Sequence, residues 1–381
     1  MSEARVTNLS NESNSGGPTI SGITTFSGAN YFVPPSGTTA ERPENAEPGS
    51  IRFNIDSKHL EYFKGDTLGW QEVEASNEEL NGGYRGVWMG GRTTGGGNVD
   101  VIEYCTISTL GNNIDFGNLS QTRRRSTSAA SRIRQVLFGG SNPSGSAGYN
   151  IIDYVTFAST GNAVDFGDQT TETRSPGSGG NSTRGIMGGG TNGYPSGTNH
   201  NVIEYITFTH TGNSKDFGDL SQARDFPGTV NSSTRLIFGG GAVYPTAYNV
   251  IDYVTTQTLG NATDFGDLTT ACSSAYACSC NSIRGIFGKV YDGGYLNSLE
   301  YVTMATKGNT VDFGDLYHLS TSLQGASSPT RGVYGGGYTP GGYSNVMQYI
   351  QIMTLGNSVD FGDTTGAVAS PGVCSNGHGG L

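Results

Sequence analysis

Charged residues and leucine are scarce in this sequence, and their scarcity excludes the common helical architectures. Charged residues make up only 14% of the 381-residue chain. Helical bundles and coiled coils need Ala, Leu, Glu and Lys in quantity, so neither is expected. The chain has instead 61 glycines, 13 prolines, 20 tyrosines and 16 phenylalanines. Large aromatic side chains are unusual in disordered chains, and this composition favours many short strands joined by glycine-rich turns.

Cysteines and long apolar runs are few. The five cysteines form no CxxC pair, and their number is odd: Cys105, Cys272, Cys278, Cys280 and Cys374. A disulfide framework or a zinc site is therefore not expected, and small buried thiols in a reducing compartment are. No segment approaches the ~18 apolar residues of a membrane span, and the N-terminus lacks the basic and apolar regions of a secretory signal. We expect no membrane insertion.

Basic side chains are also scarce. The net charge is −11, of which residues 1–80 carry −7 and the remainder −4. A nucleic-acid-binding protein would carry a basic stripe. The only basic run is Arg123-Arg124-Arg125, which is typical of a solvated loop. The sequence predicts no nucleic-acid partner.

The motifs of known catalytic sites are missing. The histidines form neither HExxH nor an i, i+4 pair, so we expect them to be solvated: His59, His200, His210, His318 and His378. GxSxG is absent, and the glycine strings lack the Lys-Ser/Thr of a phosphate loop. Tyr104 and Cys105 are adjacent, but no pair of loop histidines accompanies them as a copper-radical site would require. We expect no enzymatic activity, no metal and no cofactor.

A sixfold repeat dominates residues 81–381. The motif GN-x-x-DFG recurs every 48–51 residues, starting at Gly111, Gly161, Gly212, Gly260, Gly308 and Gly356. Each copy follows an Arg-apolar-glycine segment, such as RGIMGGG from Arg184, and an apolar-acidic-Tyr step, such as VIEY ending at Tyr205. A period near 50 with strand-type residues is typical of one propeller blade.

One repeat has room for four strands. In the third repeat we expect them at Arg174–Asn181, Arg184–Gly190, Val202–Phe208 and around Asp216-Phe217-Gly218. The Gly-Asn turn before the last strand is explained by the tolerance of both residues for positive φ. The first repeat lacks its first strand, and Val368–Asn376 copies that strand at the end of the chain. We therefore expect the C-terminus to complete the first blade and close the ring.

The order of the glycine doublet, the tyrosine step and the outer aromatic strand resembles the kelch type of β-propeller over residues 84–381. Kelch units usually carry Trp on the outer strand, where this sequence has Asp-Phe-Gly. The expected fold is all-β: a six-bladed kelch-like β-propeller at 81–381, closed by the C-terminal strand. A small β-hairpin attachment module at 24–80 precedes it, after a flexible or partner-ordered arm at 1–23.

The N-terminal segment has patterns of its own. Ser50–Asn54 and His59–Phe63 alternate in polarity and predict a β-hairpin, followed by a short strand around Trp70. Tyr31–Val73, with TTAERP from Thr38 and the later EYF-x-G…W, resembles a module near the N-termini of tailed-bacteriophage virion proteins, especially marine-phage tail and fibre proteins. The resemblance implies a virion protein of the tail or particle surface, made in the host cytoplasm. It also implies that residues 1–80 bind other virion proteins, and it leaves a homo-oligomer, such as a trimer, open.

The repeated aspartates and phenylalanines of DFG predict structural roles. We expect each Asp to accept backbone N–H groups or to pair with an Arg, in preference to forming a cation-binding ring, because buried charges are normally paired. The aspartates are Asp115, Asp165, Asp216, Asp264, Asp312 and Asp360. We expect the phenylalanines to pack between blades: Phe116, Phe166, Phe217, Phe265, Phe313 and Phe361.

The variable loops provide the candidate ligand-binding residues. They combine tyrosines with adaptable Gly, Asn and Ser: Tyr149, Tyr194, His200, Tyr244, Tyr248, Tyr291, Tyr295, Tyr338 and Tyr343. These residues either bind a ligand or pin the loops. The leading hypothesis is a non-enzymatic tail-fibre or receptor-binding protein whose loops bind a host-surface ligand such as a glycan. The alternatives are a purely structural tail or capsid component and, less favoured, a carbohydrate-active enzyme.

Overall fold

The computed structural model describes residues 34–57, 59–73, 84–194 and 196–381. The chain divides into two compact units, Met1–Asn77 and Glu78–Leu381. The arm expected at residues 1–23 lies outside the described residues. Strands dominate the described part of the chain, whose one helical element is a 3-10 turn at Thr39–Glu41. The predicted all-β class is confirmed.

The first unit contains one small sheet. Its strands are Ser36–Gly37, Ile51–Asn54, His59–Phe63 and Trp70–Glu72, in that spatial order. The last three are antiparallel, which confirms the predicted hairpin and third strand, and the first adds in parallel. The buried carboxylate of Glu61 is balanced by Arg42 at 2.7 Å and Arg52 at 3.5 Å.

The second unit contains six antiparallel sheets of one design, called sheets 1 to 6 in chain order. In sheets 2 to 6 the chain runs through the first, second, third and fourth strand in turn. Sheet 1 takes its second to fourth strands from Arg85–Thr93, Asn98–Thr106 and Ile114–Asn118. The others are Thr127–Ala130, Arg134–Phe138, Tyr149–Thr156 and Val164–Thr173 (sheet 2); Gly177–Gly180, Arg184–Gly188, Val202–Thr207 and Lys215–Asp219 (sheet 3); Gly228–Asn231, Arg235–Gly239, Thr246–Thr255 and Thr263–Cys272 (sheet 4); Ala277–Cys280, Arg284–Gly288, Ser298–Thr303 and Val311–Asp315 (sheet 5); Gln324–Ser327, Arg331–Gly335, Val346–Gln351 and Val359–Asp363 (sheet 6). Short loop strands are Ala242–Val243, Tyr338–Thr339 and Gly342–Tyr343.

The C-terminal segment supplies the first strand of sheet 1. Gly372–Ser375 pairs with Arg85–Thr93, with Gly372 opposite Met89 and Ser375 opposite Gly86. Val368–Ala369 extends this pairing along the same neighbour. The pairing that the copied segment predicts is therefore present, and sheet 1 combines strands from both ends of the second unit.

The first strands of the six sheets contact one another in a closed cycle. Each touches the first strand of the next sheet, and the cycle closes where Gly372–Ser375 touches both Gln324–Ser327 and Thr127–Ala130. Together they line a central cavity of about 60 Å³. The side chains facing it are mostly small and polar, such as Ser178, Thr229 and Ser279, which suits strands that converge closely.

One arginine per sheet links that sheet to the next. Each guanidinium lies 4.3–5.1 Å from the ring of the repeat tyrosine in its own sheet. Its Nη1 donates to the carbonyl just after the third strand of the following sheet, at 2.5–3.2 Å. The arginines are Arg85, Arg134, Arg184, Arg235, Arg284 and Arg331, and Arg331 donates back to sheet 1. Because a cation–π contact contributes ~0.5–1 kcal/mol at such half-exposed sites, the set stabilises the whole cycle.

Each Gly-Asn turn is hydrogen-bonded to the fourth, outer strand of the preceding sheet. Each Asn Oδ1 accepts the backbone N–H that follows the DFG glycine of that strand, at 2.9–3.1 Å. The asparagines, Asn112, Asn162, Asn213, Asn261, Asn309 and Asn357, do not adopt positive φ, so that explanation of the turn was wrong for them. The DFG glycine is required because a Cβ at Gly218 would approach the backbone of Gly260 to 2.5 Å.

The DFG motif divides its two side chains between core and solvent. Its phenylalanines are only 1–2% exposed and meet the repeat tyrosines edge-on, which confirms their predicted packing role. Its aspartates are all exposed, contrary to the expected pairing with arginine or backbone N–H groups. Within the described residues only Asp360 has a side-chain partner, the hydroxyl of Tyr317 at 3.1 Å.

The buried acids are those of the apolar-acidic-Tyr step. Glu103, Asp153, Glu204, Asp252 and Glu300 are at most 4% exposed, and Gln348 takes the place in sheet 6. Each accepts hydrogen bonds from the fourth strand of the preceding sheet or from the connection that follows it, as Asp252 does from the backbone N–H and hydroxyl of Ser221. Arg224 donates to the same carboxylate at 3.0 Å. These acids therefore connect consecutive sheets through hydrogen bonds. This role was predicted for the DFG aspartates, which do not have it.

Candidate functional site

Two faces of the second unit differ in variability. The loop face consists of the connections between second and third strands and those from each fourth strand to the next first strand. Bridges join these two kinds of loop, for example Arg124 with Ser141 and Thr321 with Tyr338. The turn face consists of the short hairpins and the Gly-Asn turns. Sequence variation is concentrated on the loop face, so a specific ligand would be recognised there.

The C-terminal tail closes the central cavity at the turn face. The Nε2–H of His378 donates to the Ala130 carbonyl at 2.7 Å, and its Nδ1 accepts from Asn231 at 2.9 Å and from the Gly380 N–H at 3.2 Å. His378 is 5% exposed, so the expected solvated histidine is wrong at this position. Access to the axis is therefore from the loop face.

Burial makes His378 a pH-sensitive part of this closure. Burial lowers its pKa to about 4. The unfolded chain takes up a proton near pH 6.5, whereas the folded chain does so only near pH 4, so acidification favours unfolding. We expect the free energy of unfolding to fall by about 2 kcal/mol between pH 7 and 5 from this group alone. Thermal unfolding of wild type and His378→Gln across this range should show a steeper pH dependence in wild type, and parallel curves would contradict the assignment.

Four of the predicted tyrosines form one cluster on the loop face. Tyr291 and Tyr295 pack edge-on with ring centroids 6.3 Å apart, and Tyr338 and Tyr343 do so at 5.1 Å. The two pairs lie in the corresponding loops of adjacent sheets 5 and 6, and burial, together with Tyr338 and Tyr291, raises the pKa of Tyr295. Tyr291 and Tyr338 remain 40% and 42% exposed. The cluster offers aromatic surface with polar tips.

The other predicted ligand-binding residues differ in how exposed their side chains are. Tyr194 and Tyr244 are exposed, and the Arg174 guanidinium lies 5.5 Å from the Tyr194 ring. Tyr149 and Tyr248 are half-buried at the starts of third strands. His200 is half-buried, and burial lowers its pKa. The structure therefore brings only part of the predicted set together on accessible surface.

The basic run is not the solvated loop that the sequence predicted. Arg123 is fully buried and donates to Asp153 at 2.8 Å. Arg124 and Arg125 are half-buried on the loop face, and the Arg125 guanidinium lies 5.2 Å from the ring of Phe226. The run lies in the connection from the fourth strand of sheet 1 to the first strand of sheet 2. Its place in a connection between two sheets could have indicated that it contacts both.

One carboxylate lies near these arginines. Burial raises the pKa of Asp225 to about 7, although Arg125 opposes the shift. Near neutral pH this group therefore carries only part of a negative charge. No repeated sequence motif contains Asp225, so its role could not be predicted.

The described residues offer little for metal or redox chemistry. No group of three or more His, Cys, Asp or Glu among them is arranged to hold a metal ion. Cys278, Cys280 and Cys374 line the central cavity, and burial raises the pKa of the Cys374 thiol to about 12, which keeps it protonated. All five cysteines are free, as the sequence predicts. In the part of the chain that the structure covers, no helix is long and apolar enough to span a bilayer.

No protein-family model matches the chain, and no curated protein is significantly similar to it.

Proposed function

We propose that residues 81–381 form a six-bladed, kelch-like β-propeller, with each of the six sheets as one blade. The observation that supports this is the cycle of contacts between first strands, together with the arginine and asparagine hydrogen bonds that repeat from sheet to sheet and return to sheet 1. When the same contact is repeated from sheet to sheet, it returns to the first sheet only for one particular number of sheets, which here is six.

We further propose that the protein is a non-enzymatic bacteriophage virion protein of the tail-fibre or receptor-binding type. Residues 1–80 would attach it to the particle, and the loop face would bind a host-surface glycan. The N-terminal sequence resemblance supports the virion assignment. The loop-face tyrosine cluster carries the binding assignment, because exposed aromatic rings with hydroxyl tips and adaptable neighbours are typical of recognition surfaces.

Replacing Tyr291 and Tyr338 with alanine tests the binding assignment. The two truncations together should cost ~1.4–2.8 kcal/mol of binding free energy, so adsorption to host cells should weaken by ~10–100-fold. Both rings are partly exposed, so the melting temperature should change little. Adsorption of the purified full chain to host cells, and its binding to a glycan array, are the measurements.

Leu259 and Leu355 provide the matched control on the turn face. Both are more than half exposed and occupy equivalent Gly-Asn turns. Alanine at these positions should leave adsorption unchanged. If the leucine variants lose adsorption and the tyrosine variants keep it, the faces are reversed, and the loop face then belongs to contacts within the particle, as a purely structural component would require.

A further inference from the structure

Three arginines of the loop face surround one short segment of backbone. Arg92 pairs with Ala369 at the end of sheet 1, and the Arg125 N–H donates to the Ser370 carbonyl at 2.9 Å. Arg124 is adjacent in sequence, and its guanidinium covers Gly145, where any Cβ would collide with it. The three side chains thus start from neighbouring backbone positions, although Arg92 belongs to sheet 1 and the other two to the connection from sheet 1 to sheet 2.

These arginines differ from the other arginines of the loop face in having fewer protein partners for their guanidinium groups. Arg123 and Arg224 each donate to a buried carboxylate, and Arg174 donates to the Gly145 carbonyl at 2.6 Å. Among the described residues, the side chains of Arg124 and Arg125 donate no hydrogen bond, and Arg92 uses only its Nε, toward Gly96 at 3.0 Å. None of the three forms an ion pair with any residue that the structure describes.

The three charges also repel one another. Burial, Arg125 and Arg92 together lower the pKa of Arg124 to about 10. Such a cluster is unfavourable for folding and is not required to balance this acidic chain, whose net charge is −11. Uncompensated, half-buried guanidinium groups are what an anion-binding site needs, because their planar donors match carboxylate, sulfate and phosphate oxygens.

We propose that Arg92, Arg124 and Arg125 bind the anionic group of an acidic saccharide at the loop face. This inference rests on the proposed glycan-binding function and specifies its substrate class. Two loop-face tyrosines interact electrostatically with the cluster, since Tyr343 influences the pKa of Arg124 and Tyr194 that of Arg125. The arginines would fix the charged group, and the aromatic rings would provide apolar contact area for the sugar ring.

Asp225 leads to a second prediction, in which a substitution tightens anion binding and does not weaken it. It is the one carboxylate that acts on Arg125, and it competes with a bound anion. Asp225→Asn should therefore tighten anion binding, whereas Arg92→Gln and Arg124→Gln should weaken it. A cluster with a purely structural role would give no such opposite responses in binding.

The first experiment compares two matched saccharides on the full chain. Hexagalacturonate should bind at least ~10-fold more tightly than its fully methyl-esterified form, and Arg124→Gln or Arg92→Gln should remove that preference. A sulfated galactan hexamer distinguishes a sulfate-selective site from a carboxylate-selective one. The Arg124 side chain donates no hydrogen bond in the described structure, so Arg124→Gln should not lower the melting temperature. Equal binding of the acidic and esterified forms, with glycan binding intact, would overturn the inference and leave the proposed function standing.

The second experiment tests the anion site without a saccharide. Sodium sulfate should raise the melting temperature of wild type by ~2 °C more than sodium chloride at equal ionic strength, since ligand binding to the folded state stabilises it. Because sulfate also stabilises folded proteins generally by exclusion from their surface, the rise should be ~2 °C smaller in the Arg92→Gln/Arg124→Gln double variant than in wild type, and fully kept in Asp225→Asn. If every saccharide fails to bind but this sulfate effect is present, the anion site stands and the glycan function fails. If the double variant responds to sulfate as wild type does, the inference is wrong.

Discussion

Removal of Val368–Leu381 is expected to destabilise the second unit strongly. The deleted segment is the first strand of sheet 1, and it contacts the first strands of sheets 2 and 6. It buries Val368 and Val373, which are 8% and 6% exposed, and each buried valine contributes ~1.5–3 kcal/mol. The total of roughly 5 kcal/mol approaches the whole stability of many domains, so the melting temperature should fall by ~10 °C or more.

Trp88 reports this change directly. It is 1% exposed and packs in the same core cluster as Val373. Its fluorescence should shift to the solvent-exposed spectrum in the truncated chain at temperatures where the full chain is folded. A shorter deletion, of Asn376–Leu381 only, removes His378 but keeps the strand, so it should have a distinctly smaller effect. A long truncation that melts within ~2 °C of the full chain would show that the strand is dispensable.

Much of the fold could be predicted because the same pattern of residues occurs in six successive repeats. The glycines, the Gly-Asn turns and the position of the DFG phenylalanine mark the strands of every sheet to within a few residues. The closing strand was predictable because Val368–Asn376 copies a segment that the first repeat lacks. Such features depend on local chemistry and repetition, both of which a single sequence displays.

The candidate site was less predictable because it depends on contacts between repeats. Arg123, Arg124 and Arg125 are consecutive, yet the first is buried in an ion pair and the other two border the loop face. The deciding factor is the position of Asp153 in the next sheet, which sequence spacing does not give. His378 was missed for the same reason, because its partners Ala130 and Asn231 lie more than a hundred residues away.

The roles of the two repeated acids were exchanged by a register shift. In every sheet the pairing of third and fourth strands shifts by one position immediately before the acid of the tyrosine step, or before Gln348 in sheet 6, as between Ile251 and Asp252. Strict alternation places side chains on faces only when no extra residue intervenes, so it could not predict which acid is buried. The exposed Asp264 of DFG looked structural because it recurs, but recurrence does not measure burial.

Asp252→Asn is therefore expected to destabilise the protein strongly, and Asp264→Asn hardly at all. Both positions lie in sheet 4, and both changes remove one carboxylate charge with almost no change in size. At Asp252 the loss leaves the buried Arg224 guanidinium without its counter-charge, which typically costs 3–5 kcal/mol. At exposed Asp264 the free energy of unfolding should change by less than about 0.5 kcal/mol. Denaturant unfolding of the two variants measures both values.

Arg224→Met in the Asp252→Asn background separates charge from packing. If the stranded charge causes the loss, the double variant should be more stable than Asp252→Asn alone, because the buried cation is gone and the methionine fills part of its volume. If the double variant is less stable than wild type by the sum of the losses in Asp252→Asn and Arg224→Met alone, the two residues act independently, and the carboxylate serves only to hold Ser221. Equal losses at Asp252 and Asp264 would mean that the motif aspartate has a role in stability that its exposure does not reveal.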